Sequence, residues 1–188
     1  MAGYLEIADG QVGYRGNPEN VTKYWADLEP SLQGQPWCGA FVSWCLWKAG
    51  VLTAAMGGPM YSCSAMVRRA RSRGQWASNP VVGALVIYDF GSGSPAHVEF
   101  VTGIVSGGIN AIGGNTSGDL VARKNRSNSQ ILGYWHIEAP TGSIPAGTGD
   151  AGYSYITYGE YVAAPAQTVV GEAAGPAGVR FGKGAFRV

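Results

Sequence analysis

The chain has 188 residues, of which 46% are hydrophobic, and a formal net charge of +1. This length allows one domain with a substantial core and a shorter appendage. A nearly neutral chain lacks the basic face that a dedicated nucleic-acid-binding protein needs. No apolar run approaches the ~18 residues that span a bilayer, and the start, MAGYLEIADGQVG, lacks the regions of a secretory signal. The sequence therefore predicts a soluble protein without a signal peptide, without membrane insertion and without a nucleic-acid partner.

Three helices are predicted in the first part of the chain, because apolar residues recur there at helical spacing. They cover residues 4–12, about 37–49 and about 62–73. Gly13 and Gly50 follow the first two helices, as is common at helix ends. The segment between these two helices is rich in turn residues and is predicted to be a loop.

After the third helix the pattern changes to β-branched and aromatic runs separated by glycine and serine. Four such runs are predicted to be antiparallel strands: ALVIYDF, HVEFVTGIV, INAIGG and ILGYWHIEA. Helices followed by a strand meander indicate an α+β domain, which we expect to occupy residues 1–139.

The composition changes again in residues 140–188, which form a glycine-rich, low-complexity extension. This segment holds 10 of the 30 glycines and contains no Trp, Leu, Met, Cys, Asn or His. Such a segment cannot bury enough apolar surface to fold alone. It carries four tyrosines between residues 153 and 161 and a strand-like run, GVRFGKGAFRV. We interpret it as a docking segment for a larger assembly.

Cys38 stands at the start of the second predicted helix, in the stretch QPWCGAFVSWC. Its spacing with Phe41, Val42 and Cys45 fits an apolar stripe, so it is either a core residue or a nucleophile. The first turn of a helix lowers the pKa of a thiol, because unpaired N–H groups and the helix dipole favour the thiolate. The same N–H groups can hold an oxyanion, and the small Gly39 lets a substrate carbonyl approach.

A thiolate nucleophile requires an imidazole partner, and the chain has two histidines. His97 opens the strand HVEFV after the loop GSGSP, where a side chain can project into a cleft. His136 lies inside the last predicted strand, where a structural role is favoured. We therefore predict that His97 is the base. Asn115, at the end of INAIGGNTSG, is either an ordinary turn residue or the group that orients the imidazole.

The remaining cysteines, Cys45 and Cys63, lie on predicted core stripes. They are either inert buried thiols or the two halves of a Cys45–Cys63 bridge. Of the three thiols, we expect only Cys38 to be exposed. No CxxC pair occurs, and two histidines do not complete the four well-spaced ligands of a structural zinc site.

The stretches PWCGAFVSWC, AHVEFVTG and GGNTSG, in this order, resemble the CHAP family of cysteine peptidases and amidases. These domains cut peptidoglycan and are common in phage lysins and bacterial autolysins. The resemblance covers roughly residues 4–139 and includes NPENVTKYW and ILGYWHI. It implies a papain-like, NlpC/P60-like fold. It also implies that Cys38 is the nucleophile, that His97 is the base and that Asn115 is the third catalytic residue.

The chain departs from the family pattern at two places. Many members carry Glu-x-Asn where this chain has GGN, so Gly113 stands in place of a carboxylate that helps the histidine. Glu99 lies two residues beyond His97, on the same face of a strand, and is a candidate to compensate. The Gly-Asp that often precedes the first strand is Gly83-Ala84 here. The alternating aspartates by which some relatives bind calcium are absent, so we predict no metal and no cofactor.

Three further residues are candidates for contact with the substrate. Trp37 is expected to form one wall of the cleft beside Cys38. Gln33 and Gln35 are both candidates for a side-chain donor to the oxyanion, as in papain-like enzymes, and the sequence does not choose between them.

The resemblance implies a peptidoglycan hydrolase that cleaves an amide bond through a cysteine acyl-enzyme. The enzyme is either an N-acetylmuramoyl-L-alanine amidase or an endopeptidase of the stem peptide or cross-bridge. The absence of a signal peptide fits a phage lysin released through a holin, or one carried on the virion, where residues 140–188 contact tail proteins. The alternative is a structural or wall-binding component of a phage particle with little turnover.

Overall fold

The structure, a computed structural model, describes residues 3–137; the extension predicted for residues 140–188 lies outside this range. Five α-helices precede six strands in the described chain. The helices are α1 (Tyr4–Asp9), α2 (Lys23–Leu28), α3 (Cys38–Lys48), α4 (Leu52–Met56) and α5 (Cys63–Ser72). The strands are β1 (Trp76–Ala77), β2 (Leu85–Tyr88), β3 (His97–Val105), β4 (Gly108–Thr116), β5 (Leu120–Ser127) and β6 (Ile131–Trp135). None of the helices between residues 3 and 137 has the length and apolar character needed to cross a membrane.

The strands form one antiparallel sheet in the order β1-β6-β2-β3-β4-β5. Successive side chains of a strand point to opposite faces, and β3 follows this rule. Val98 and Phe100 belong to the main core, which the helices cover, whereas Val101 belongs to a second apolar cluster. Glu99 alternates with Val98 and Phe100 and therefore lies on the face away from the helices.

Helix α3 is the centre of the main core. Every residue from Cys38 to Leu46 is buried, so the helix is covered on all sides, as expected for one that is apolar all round. The ring of Trp37, just before the helix, stacks on Tyr24 of α2 with centroids 5.4 Å apart. Because α3 is enclosed, its first residue is held in a fixed position relative to the sheet.

The α+β class, with N-terminal helices packed on an antiparallel sheet, is confirmed, while several details differ from the sequence prediction. The segment predicted as a loop contains α2, whose N-cap Thr22 accepts a hydrogen bond from the Trp25 amide. The first helix ends at Asp9 instead of Val12. Strand β5 was not predicted, because its sequence LVARKNRS is too polar to show an apolar run. It lies at the edge of the sheet, and Val121 is its one buried residue.

The start of α3 lies directly against the segment that leads into α5. A Cβ atom at Gly39 would lie 2.6 Å from the Tyr61 carbonyl oxygen and 2.8 Å from its Cα. One turn later, the Ser43 hydroxyl donates to the Met60 carbonyl oxygen and accepts from the Met60 amide, both at 3.0 Å. The two backbones are therefore in contact, and only glycine fits at position 39.

We predict that Gly39→Ala lowers the free energy of unfolding by roughly 1–3 kcal/mol, because the added methyl group meets backbone atoms that cannot move independently. The measurement is denaturant unfolding followed by circular dichroism. Gly10→Ala is the matched control, since a Cβ there meets only backbone oxygens at 3.5 and 3.6 Å and the residue is already right-handed. Equal stability of the two variants would contradict the close contact at Gly39.

Candidate active site

Cys38 is the first residue of α3 and is buried, with 6% of its surface exposed. The expectation that this thiol is exposed is therefore wrong. It is enclosed because α3 is packed against the sheet on one side and against the Tyr61–Cys63 segment on the other. Its place at the helix start agrees with the sequence prediction and brings it near the unpaired N–H groups of the first turn.

The Cys38 sulfur has three polar neighbours. It takes part in hydrogen bonds with the Cys63 thiol, with the His97 ring and with the backbone N–H of Val98. These contacts hold the pKa of Cys38 well below its usual range: the Cys63 bond has the largest effect, and the His97 bond and charge add to it against the opposing effect of burial. These contacts therefore favour the thiolate form of Cys38.

His97 is the first residue of β3, and its ring is held between Cys38 and Glu99. Nε2 lies 3.2 Å from Glu99 Oε1. Burial alone would lower the pKa of His97, but the hydrogen bonds and charges of Cys38 and Glu99 outweigh it and raise the pKa to about 9. A raised imidazole pKa beside a lowered thiol pKa describes an ion pair between a thiolate and an imidazolium.

Glu99 is fully buried, yet both of its carboxylate oxygens are satisfied. The Tyr88 hydroxyl donates to Oε2 at 2.8 Å. Arg126 donates from Nε to Oε2 at 3.1 Å and from Nη2 to Oε1 at 2.6 Å, a bidentate ion pair. Burial raises the pKa of Glu99, but the hydrogen bonds and charges of His97 and Arg126 outweigh this and lower it to about 2.

Arg126 reaches this position from β5, the strand that the sequence analysis did not predict. Its Nη2 also donates to the Thr116 hydroxyl at 3.2 Å, and its guanidinium carbon lies 5.1 Å from the ring centre of Tyr88. The exposed ring of Phe90 stacks on Tyr88 and lies 6.1 Å from the His97 ring. The only sequence signal for Arg126 is indirect: a buried Glu99 requires a cation, but the sequence does not say which one.

Asn115 lies at the end of β4 with a left-handed backbone, at φ 57°. Its amide oxygen accepts from the Trp37 backbone N–H at 3.1 Å, and its amide nitrogen donates to Asp119 Oδ1 at 2.9 Å. The carboxylate that contacts the His97 ring belongs to Glu99, and the Asn115 amide is directed to Trp37 and Asp119 instead. Asn115 therefore holds the backbone at the start of α3, and a direct contact with the imidazole is not seen.

The other predicted contact residues are placed as follows. The Trp37 ring is fully buried among Tyr14, Tyr24 and Phe41. It therefore packs in the core at the start of α3 and does not form a wall of an open cleft beside Cys38. The Gln33 side chain is engaged by the Thr22 backbone, accepting from its N–H and donating to its carbonyl oxygen, both at 2.9 Å. Gln35 is exposed, three residues before Cys38.

His136 and Cys45 lie away from the Cys38–His97 pair, whereas Cys63 lies beside Cys38 as a free thiol. His136 Nε2 contacts the Asn79 carbonyl oxygen at 2.9 Å, and burial lowers its pKa, in line with a structural role. All three cysteines are free, so no Cys45–Cys63 bridge is present. Cys45 is fully buried, and burial raises its pKa well above the usual value. Within residues 3–137, no group of three or more His, Cys, Asp or Glu is arranged to hold a metal ion.

Comparison with known families supports the resemblance seen in the motifs. Residues 31–115 match the model of the CHAP domain family, which confirms the resemblance to this family. The matched range runs from just before Cys38 to Asn115 and includes His97 and Glu99. No curated protein matches the sequence.

Two similar solved structures are "The crystal structure of Ly7917" and "The crystal structure of Ly7917 with the hydrolyzing product of MDP". The first is 21% identical to this chain, with a TM-score of 0.45, and the match spans 70% of this chain and 59% of the Ly7917 chain. The second is 20% identical, with a TM-score of 0.44, and the match spans 70% of this chain and 60% of that chain. The similarity thus spans less than two thirds of the length of those chains.

We predict that iodoacetamide alkylates Cys38 first in the native protein, because thiolates react and thiols do not. The pKa of Cys63 is raised above its usual range by its bond to Cys38 and by burial, and that of Cys45 by burial. Peptide mapping by mass spectrometry after partial reaction identifies the modified site. Faster labelling of Cys45 or Cys63 than of Cys38 in the folded protein would contradict the assigned charge state.

Proposed function

We propose that this chain, whose residues 31–115 match the CHAP domain family, is a peptidoglycan hydrolase that cleaves an amide bond through an acyl-enzyme on Cys38. The observation that carries the proposal is the hydrogen-bonded Cys38–His97 pair at the start of a buried helix. A thiolate beside an imidazolium is a preformed nucleophile and acid, and an amide is the kind of bond that needs both.

In the first half of the reaction, the Cys38 sulfur attacks the carbonyl carbon of the amide. The carbonyl oxygen becomes an oxyanion, which the unpaired N–H groups of the first turn of α3 stabilise. The His97 imidazolium then gives its proton to the leaving nitrogen, the C–N bond breaks, and an amine leaves. A thioester on Cys38 and a neutral imidazole remain.

In the second half, neutral His97 takes a proton from water, and the resulting hydroxide attacks the thioester carbonyl. The C–S bond breaks and the carboxylic acid product leaves. The thiolate and the imidazolium are then restored, so no cofactor is consumed. Glu99 stays ionised throughout, because Arg126 and Tyr88 hold its carboxylate.

The bond is either the N-acetylmuramoyl-L-alanine amide or an amide within the stem peptide or cross-bridge, since both present the same carbonyl to the thiolate. The protein further fits a phage lysin, either released through a holin or carried on the virion. In the virion case, residues 140–188 would dock residues 1–139 onto tail proteins. Mass spectrometry of digested peptidoglycan identifies the bond, and co-assembly with virion proteins before and after truncation tests the docking.

We predict that Cys38→Ala and His97→Ala each lose wall-digesting activity by on the order of 10³-fold or more, because the nucleophile and its acid act as a unit. The measurement is release of soluble fragments from purified walls. Cys45→Ala is the matched control, since it also removes a thiol but one that is remote from the ion pair and inert. Equal digestion by wild type and Cys38→Ala would end the proposal, and no digestion above background by wild type would favour the wall-binding component.

We predict that kcat/KM falls as the pH rises through about 9, because His97 then loses the proton that the leaving nitrogen needs. The acid side of the profile should fall only well below pH 9, where the thiolate becomes protonated. The measurement is fragment release across pH 5–10 with thermal stability checked at each pH. A rate that keeps rising beyond pH 9 would show instead an ordinary thiol that must first ionise.

A further inference from the structure

We infer that Glu99 positions the His97 ring from the same strand, β3, and that Gly113 on β4 is small because the Glu99 side chain occupies the space beside it. This inference rests on the proposed function for its catalytic meaning. Its geometry and its main test do not depend on the substrate.

Strand β3 pairs with β4 along one register near the site. Phe100 pairs with Ile112 and Val101 with Ala111, so the same register places Glu99 opposite Gly113. Side chains directly opposite each other in an antiparallel pair lie on one face, with Cβ atoms about 4.5–5.5 Å apart. Glu99 and position 113 therefore share one small space beside the imidazole.

The Glu99 side chain fills this space. A Cβ atom at Gly113 would overlap Glu99 Cγ and lie 2.8 Å from Oε1 and 2.9 Å from Cδ. All three nearest atoms belong to the Glu99 side chain. The backbone at Gly113 is not left-handed, so glycine is not required there by conformation. What excludes a larger residue at 113 is the carboxylate of Glu99.

The charge of the Glu99 carboxylate links the imidazole to Arg126. Glu99 lies between two cations, with His97 Nε2 at 3.2 Å and Arg126 Nη2 at 2.6 Å from the same oxygen. Arg126 keeps the carboxylate ionised, and the ionised carboxylate keeps a proton on the imidazole although the ring is buried. A neutral amide at position 99 would remove this attraction, so the ring would hold its proton less tightly.

A purely structural role for Glu99, as the partner of Arg126, predicts something different. In that case the loss of Glu99 lowers stability but does not change the charge state of His97 and Cys38. The decisive quantity is therefore the proton affinity of these two side chains, which can be measured without any substrate.

The first experiment is the pH dependence of Cys38 alkylation by iodoacetamide in Glu99→Gln. We expect the midpoint of the alkylation profile of Glu99→Gln to lie about one pH unit above that of wild type, so that at any pH well below both midpoints the rate, relative to its own high-pH plateau, falls roughly 10-fold. Glu19→Gln is the matched control, because it makes the same change at an exposed site. A folded Glu99→Gln with the wild-type profile would overturn the inference.

The second experiment moves the carboxylate to the opposite strand. Glu99→Ala removes the three atoms nearest to a Cβ at position 113, so Glu99→Ala combined with Gly113→Glu offers a carboxylate in the same space. We expect the double variant to regain the low-pH alkylation that Glu99→Ala loses, while Gly113→Glu alone is destabilised by overlap with Glu99. A folded double variant that alkylates like Glu99→Ala would overturn the transposition.

The third measurement does not depend on whether any Glu99 variant folds. In Cys38→Ala the thiolate is gone, so Glu99 alone must hold the proton on His97. The chain has only two histidines, and His136 serves as the internal reference. We expect the His97 ring, titrated by NMR, to keep a pKa above the usual 6.5, and a value at or below it would overturn the inference. Wall digestion by wild type is scored separately, so a failure of the hydrolase proposal is recognised independently.

Discussion

The site depends on one chain of alternating charges: the Cys38 thiolate, the His97 imidazolium, the Glu99 carboxylate and the Arg126 guanidinium. A single charge in a buried position would cost several kcal/mol, and the group would lose its charge instead. In a chain of four, each charge has an opposite neighbour, so a reactive thiolate is stable in a nearly dry place. Removing an inner member leaves its neighbours unpaired, which is why the four residues are best regarded as one unit.

The fold brings the members of this unit together from three separate elements. Helix α3 is buried from Cys38 to Leu46, and this fixes Cys38 at its N-terminus. The antiparallel pairing of β3, β4 and β5 then brings Glu99 beside Gly113 and within reach of Arg126. Asn115 holds the Trp37 N–H at the helix start, so it secures the helix against the end of β4. Small residues at 39, 113 and 114 allow these close approaches.

The sequence predicted well those features that rest on local pattern. The apolar spacing of α3, its cysteine at the N-terminus and the strand that begins at His97 were all legible, and so was the α+β class. Arg126 was not, because it lies on a polar edge strand and its role depends on pairing with a residue 27 positions away. The placement of Asn115 was also not legible, since a turn asparagine can bond to several nearby groups. The sequence named Glu99 as a candidate to compensate for Gly113, but its place opposite Gly113 follows from strand register, which a single sequence specifies only weakly.

The central claim is that Cys38 is ionised in the resting protein and that this charge depends on the protonated His97 beside it, in addition to the Cys63 bond. The most direct measurement is the thiolate absorbance near 240 nm, recorded across pH 5–10 for wild type and for Cys38→Ala. We expect the absorbance difference between wild type and Cys38→Ala to correspond to one thiolate well below pH 9. When both proteins also carry His97→Ala, we expect this absorbance difference to be absent at neutral pH. A difference that develops only near the usual thiol pKa of about 8.5, with or without His97, would contradict it.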